Sequence, residues 1–290
     1  MSAPATLAGA SSRRIGSRGS LLLVTPFLLL MALAFLYPLL DLLRISFTEP
    51  ELTTDNYRRL IEEPIYLRVF IRTVWIALLT AVLALLLGFP VAYFMARSRP
   101  RMAAIIAICV LLPFWSSILV RTAAWTIMLG REGLINNALM GVGLIDQPLK
   151  LLYTQGAVLI GMTHALIPFM ILPIYGALRA IPRDYERAAQ VMGASRLAVL
   201  TQIIIPMARA GIVTGFLIVF LTALGFFITP ALLGSPQEQM IVTLVSQQVR
   251  EVLDWPFAAA IVSTLTALIV LIASLFAPYL AFDRVVGGRS

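Results

Sequence analysis

Six apolar stretches dominate this chain, each long enough to cross about 30 Å of hydrocarbon at about 1.5 Å per residue. They cover approximately residues 21–47, 69–96, 102–129, 155–180, 211–233 and 257–282. Inside a bilayer every backbone polar group needs a partner within the protein, so a spanning segment is a helix or part of a closed barrel. No run of segments alternates with period two, which excludes the barrel pattern. The expectation is an all-α, polytopic membrane helix bundle with six transmembrane helices.

Composition agrees. Hydrophobic residues make up 60% of the chain and charged residues 12%, against about 25% charged in soluble domains. A soluble fold of this length has too little interior for that much apolar surface. Cys109 is the single cysteine, so neither a disulfide framework nor a cysteine metal site is expected. The net charge of +8 comes almost wholly from arginine, Lys150 being the one lysine. These arginines stand singly between apolar runs rather than along a basic stripe, which argues against a nucleic-acid partner and for charges that orient a chain in membrane lipid.

Arg13, Arg14 and Arg18 precede the first apolar run. That run is about twice the length of a signal-peptide core and no small-residue cleavage site follows, so a retained helix is expected. Residues 1–20 read as a disordered cytoplasmic tail, 21–283 as the transmembrane domain and 284–290 as a second cytoplasmic tail. The arginine-dense loop Arg97, Arg99, Arg101 points inward by the positive-inside rule. With six spans, both termini then lie in the cytoplasm. Two outer loops have substance. Residues 49–68 carry Glu49, Glu51, Asp55, Glu62 and Glu63, with Thr53 and Thr54 placed to start a short interfacial helix. Residues 130–154 form the other.

Residues 181–209 make a connection too long for a plain helix-to-helix turn. Pro182 suits a helix start, and Asp184 and Glu186 meet the positive end of the helix dipole. Tyr185, Ala188, Ala189 and Met192 fall at i, i+3, i+4, i+7 on one apolar face. Gly193 stops this helix and Ser195 can cap a second, running through 197–205 to Pro206. On spacing alone, an amphipathic helix in the membrane interface and a helix that docks another protein are equally good readings.

The wording of this loop adds a family resemblance. Residues 186–193 read Glu-Arg-Ala-Ala-Gln-Val-Met-Gly, and after nine residues Ile203 to Pro206 read Ile-Ile-Ile-Pro. This resembles the signature loop of binding-protein-dependent ABC importer permeases: Glu-Ala-Ala, three residues, Gly, nine residues, Ile-x-Leu-Pro. Ala188, Ala189, Gly193, Ile203 and Pro206 match in register; Arg187 stands where the family has Glu, and Ile205 replaces Leu. The stretches Pro113 to Trp125, Gly130 to Asn136 and Phe226 to Gly234 are similar to spermidine/putrescine-type permeases. The resemblance implies a type I (MetI-like) permease fold and a bacterial inner-membrane location. It also implies an ATPase-coupling loop made of Tyr185, Glu186, Arg187, Ala188, Ala189, Met192, Gly193, Ile203 and Pro206. The implied partners are two copies of an ABC ATPase subunit, a second and different permease chain, and an extracytoplasmic solute-binding protein. The implied solute is a polyamine; iron, sulfate and amino-acid-like compounds are the alternatives within the family.

No enzymatic role is expected of the chain itself. A phosphate-binding Gly-x4-Gly-Lys-Ser/Thr loop needs a lysine, and Lys150 follows Leu149 in an outer loop. No cofactor is therefore expected here, and ATP-Mg belongs on the partner ATPase. A secondary transporter would need coupling-ion carboxylates at mid-membrane, and a membrane enzyme paired carboxylates or a histidine grouping; neither is found, and no metal site is expected. Candidates for the translocation path are Trp115, Arg121, Trp125, His164, Phe226, Phe227 and Thr229, since polar groups inside spans are functional suspects. Each has a plainer reading. Arg121 can snorkel to the interface or pair with an acid. His164 can make an interhelical hydrogen bond. The tryptophans can be core or interfacial residues, and Phe226, Phe227 and Thr229 interfacial packing. Asp41 and Arg44, at i and i+3, can pair with each other. Pro113, Pro168, Pro173 and Pro230 are expected to kink or end helices.

Overall fold

The computed structural model describes residues 17–48 and 52–286, with side chains for 24–48 and 52–277. The expected tail at 1–20 lies outside these residues up to position 16, and Ser17 already opens a helix. The expected tail at 284–290 lies outside them from position 287, and helix continues to Val286. Arg13, Arg14, Glu49 and Glu51 of the charge argument also fall outside.

The first apolar run forms α1 (Ser17–Met31) and α2 (Tyr37–Thr48), joined by a π-helical turn at Ala32–Leu36. Next come α3 (Asp55–Glu62) and α4 (Pro64–Arg97). Helix α5 (Pro100–Leu111) passes through a 3-10 turn at Leu112–Trp115 to α6 (Ile118–Leu129), and α7 (Leu134–Gly141) follows. Then come α8 (Gln155–Ala180), α9 (Arg183–Val191) and α10 (Arg196–Val199). A π-helical turn at Leu200–Ile204 leads to α11 (Ile205–Met207) and α12 (Arg209–Leu224). The last described elements are α13 (Ile228–Leu233), a 3-10 turn at Pro236–Glu238, α14 (Ile241–Gln247), a π-helical turn at Gln248–Val252 and α15 (Trp255–Val286).

Among the described residues, four helices are individually long and apolar enough to cross a membrane, and up to six segments qualify if each of two bent pairs counts as one span. The break near Pro113 is of the kind expected there, whereas the bend at Ala208 was not foreseen and Pro168 and Pro173 end no helix. The third apolar run breaks at Ser116 and Ser117, and the two parts meet at 94°. Pro113 removes a donor and Ser116 adopts extended backbone, which ends the first part. The fifth run stops at Leu224; Gly225 to Phe227 separate it from α13, which carries Pro230 in its first turn. Helix α8 runs unbroken through Pro168 and Pro173.

The core is the trio α4, α8 and α12. Along α4, Thr73, Ile76, Ala77, Thr80, Ala81, Ala84, Gly88, Ala92 and Met95 are buried, the recurrence of one helical face. Its opposite face shows Trp75, Leu78, Val82, Leu86 and Phe94, large side chains suited to lipid. Small residues turned inward let helices approach closely where apolar contrast with the surroundings is absent. A Cβ on Gly211 of α12 would stand 2.5 Å from the Ala177 side chain and 2.6 Å from the Pro173 carbonyl of α8. Helix α14 joins this core through its first backbone N–H, which Ile241 donates to Thr73 Oγ1 at 2.8 Å. The first span is peripheral: no residue of its most apolar window is buried, and α2 packs chiefly against α15.

Candidate functional site: the α9 surface and the polar contacts within the spans

At one end of the bundle, α9 lies across the ends of α4 and α8. Pro182 precedes it, and Asp184 and Glu186 occupy its first turn. It ends where Gly193 takes φ +88°, a conformation that strains any residue with a Cβ. No neighbour stands within 4 Å of where that Cβ would be, so backbone rather than space requires the glycine. Ser195 Oγ then accepts the N–H of Ala198 at 3.2 Å and caps α10 as expected. The second half of the connection is a short α-turn, a π-turn and another α-turn, bent by 69° from α12.

The apolar face of α9 divides. Ala189 points into its own chain with 4% exposure, which corrects its place on an outward surface. Tyr185, Ala188 and Met192 are exposed, and Val191 and Leu197 join them at 88% and 69%. Ile203 is half-buried against the core, and Pro206 is exposed. Arg187 is exposed and meets Asp184 at 3.5 Å.

The inner side of α9 is bolted down by charge. Glu186 forms an ion pair with Arg97, the last residue of α4, and both side chains are only 15% exposed. Arg97 Nη1 also donates to the Leu178 carbonyl near the end of α8 at 3.2 Å, and Arg183 Nη2 donates to the Arg97 carbonyl at 2.6 Å. One guanidinium therefore ties together α4, α8 and α9. Sequence reading used Arg97 only as a topological charge; the link to Glu186 spans 89 positions and leaves no local signature.

Among the path candidates, Trp125 of α6 donates Nε1–H to His164 Nδ1 of α8 at 3.2 Å, with the rings edge to face at 5.7 Å. The histidine makes the interhelical bond that its setting suggested. Thr229 of α13 is buried and shares a hydrogen bond with Thr122 of α6 at 3.2 Å. Arg121 pairs with no acid among the described residues. It donates to the carbonyls of Pro113 and Ser116, the latter at 3.0 Å, replacing the N–H donors lost where the third run breaks. Trp115 is 90% exposed and apart from Trp125. Phe226 packs on the core. Phe227 lines a cleft of about 370 Å³ that also includes Gln239, Thr243, Ser246, Gln247 and Glu251.

At the opposite end from α9, Arg59 of α3 contacts Asp254 at 2.9 Å and the Tyr66 hydroxyl at 2.9 Å, and lies 4.2 Å from the centre of the Phe257 ring. Burial alone would lower its pKa, but Tyr66 and Asp254 outweigh burial and hold it above the usual value. Asp254 Oδ1 also accepts the N–H of Phe257 at 3.1 Å, so it caps α15. This cluster was missed, although an Asp before Trp-Pro is a legible helix start. The Asp41–Arg44 pair forms as expected, at 3.7 Å on the surface.

Residues 84–284 match the family described as binding-protein-dependent transport system inner membrane component. The chain is 35% identical over 221 residues to the Escherichia coli spermidine/putrescine transport system permease protein PotB, covering 76% of this chain and 80% of that protein. It is 32% identical over 252 residues to the E. coli inner membrane ABC transporter permease protein YdcU, covering 82% and 77%. A subunit of a bacterial ABC transporter involved in import of the acidic polysaccharide alginate has a similar fold. Its TM-score is 0.72 at 19% identity, over 92% of this chain and 96% of that one.

Proposed function

Because this chain belongs to the binding-protein-dependent transport system inner membrane components, we propose that it moves a polyamine across the bacterial inner membrane, driven by ATPase subunits that dock on α9. As a family member it is a multi-pass inner-membrane permease of an ABC transporter. The observation that carries the coupling role is the two-sidedness of α9. Its inner side is joined through Glu186 and Arg97 to the ends of two core helices, while its outer side leaves Tyr185, Val191 and Met192 uncovered. A force on the outer side reaches α4 and α8 without passing through a loose loop. ATP-Mg then belongs to a pair of partner ATPases, and a different permease chain and an extracytoplasmic binding protein complete the assembly. Similarity to proteins named for spermidine and putrescine transport supports a polyamine solute. So does the cleft that brings Phe227 and Glu251 together, since an aromatic face and a carboxylate both attract ammonium groups.

Ala188→Glu and Met192→Glu place charge on the exposed side of α9, with little change in helix propensity at residue 188. Each variant should reach the membrane at the usual level, yet lose ATPase co-purification and labelled putrescine uptake by about tenfold or more, the effect of a desolvated carboxylate. Undiminished co-purification in both would eliminate docking at this surface. Normal docking with no polyamine uptake, in cells expressing the neighbouring transport genes, would eliminate the solute.

A further inference from the structure

Next to the Arg97–Glu186 pair, the ends of α4 and α8, the start of α5 and the start of α9 line an open cavity of about 590 Å³. Its lining includes the small apolar Ala103, Ala104 and Ala107 of α5 together with Arg97, Arg179 and Arg183. No carboxylate lines it among the described residues. Arg97 is neutralised by Glu186, which faces a different cleft. Arg179 and Arg183 form no ion pair among the described residues. Arg179 Nη1 donates to the Tyr175 hydroxyl at 2.9 Å and Arg183 Nη2 to the Arg97 carbonyl at 2.6 Å; both acceptors are neutral. A guanidinium carries five N–H donors in a fork that fits phosphate oxygens, so each keeps donors for an anion. Orienting charges need no cavity, and a docking helix needs no alanine-lined groove beside it. Uncompensated guanidiniums above an apolar groove, at the ends of membrane helices, match an amphiphile with an anionic head.

We propose that this cavity binds the phosphodiester headgroup of an anionic phospholipid, with Arg179 and Arg183 sharing the phosphate and an acyl chain lying along the alanine face of α5. Arg183 opens the helix assigned to ATPase docking, so the site is tested by lipid retention rather than by transport. The chain, purified with its co-expressed partner subunits, is presented with phosphatidylglycerol and phosphatidylcholine of the same acyl chains, and retained lipid is counted by native mass spectrometry. The expected result is preferential retention of phosphatidylglycerol, reduced about a hundredfold in Arg179→Gln/Arg183→Gln, the loss of two charge-assisted contacts. Arg99→Gln, outside the cavity, should retain lipid normally. Where the double variant fails to insert, Arg179→Gln alone, at an exposed position, gives the reading. Equal retention in the variant, equal retention of phosphatidylcholine, or displacement of the lipid by inorganic phosphate at matched concentration would overturn the proposal, the last by making the ligand a free anion.

Discussion

Trp125 and His164 illustrate what a single polar side chain does inside this bundle. The indole N–H has one acceptor, and the imidazole supplies it from a different helix. His164→Leu strands that N–H, and the cost should be about 1 kcal/mol, the usual size of an interhelical hydrogen bond in a membrane. Adding Trp125→Phe removes the stranded donor, so the double variant should melt closer to the parent than His164→Leu does. Calorimetry in detergent checks this, and a double variant that melts lower than both singles would show that packing, not the bond, holds the pair. Such a role was legible beforehand, because a lone histidine in an apolar run needs a partner and has few choices. The role of Arg121 was not. Its acceptors are carbonyls freed by a break in the chain, and a break at Ser116 and Ser117 has no strong signal beyond Pro113. Asn136 is a similar case: its amide holds the carbonyls of Gly130 and Leu149 and accepts the N–H of Leu149, pinning a loop that sequence reading could only measure.

Among the elements, α9 was the most fully readable. Its start, its stop at Gly193 and the cap at Ser195 all follow from local rules that need no knowledge of the rest of the fold. Which side faces inward did not follow, because alanine suits both a buried helix contact and an exposed low surface. The ion pair decides it by holding Glu186 toward α4 and carrying Ala189 inward with it. Removing one partner of a largely buried pair costs on the order of 3 kcal/mol. In Glu186→Ala, amides of α9 should therefore exchange hydrogen faster than in the parent, while those of α8 stay slow. Arg97→Met/Glu186→Met should restore part of the protection, since an apolar pair of similar volume leaves no charge unmatched. Unchanged exchange of α9 in Glu186→Ala would mean that the helix is held by its backbone surroundings instead.

For the molecule as a whole, the inward placement of small residues sets how closely the three core helices approach. Gly211→Val should push α12 from α8, lowering stability by about 1–3 kcal/mol as overpacking does. Gly176, with nothing within 4 Å of an added Cβ, should accept alanine without loss. Thermal unfolding of both variants distinguishes a packing requirement from a general dislike of side chains on these helices. The all-helical class and the six apolar runs were evident from length and hydropathy alone, whereas the 94° bend inside the third run and the 69° bend at Ala208 have no counterpart in hydropathy, which runs on through both. The peripheral first span has a consequence for how the chain is made. Its main packing partner, α15, is made only after every other helix between them. The first span must therefore wait in lipid through the synthesis of everything between them, and it docks only after α15 has emerged.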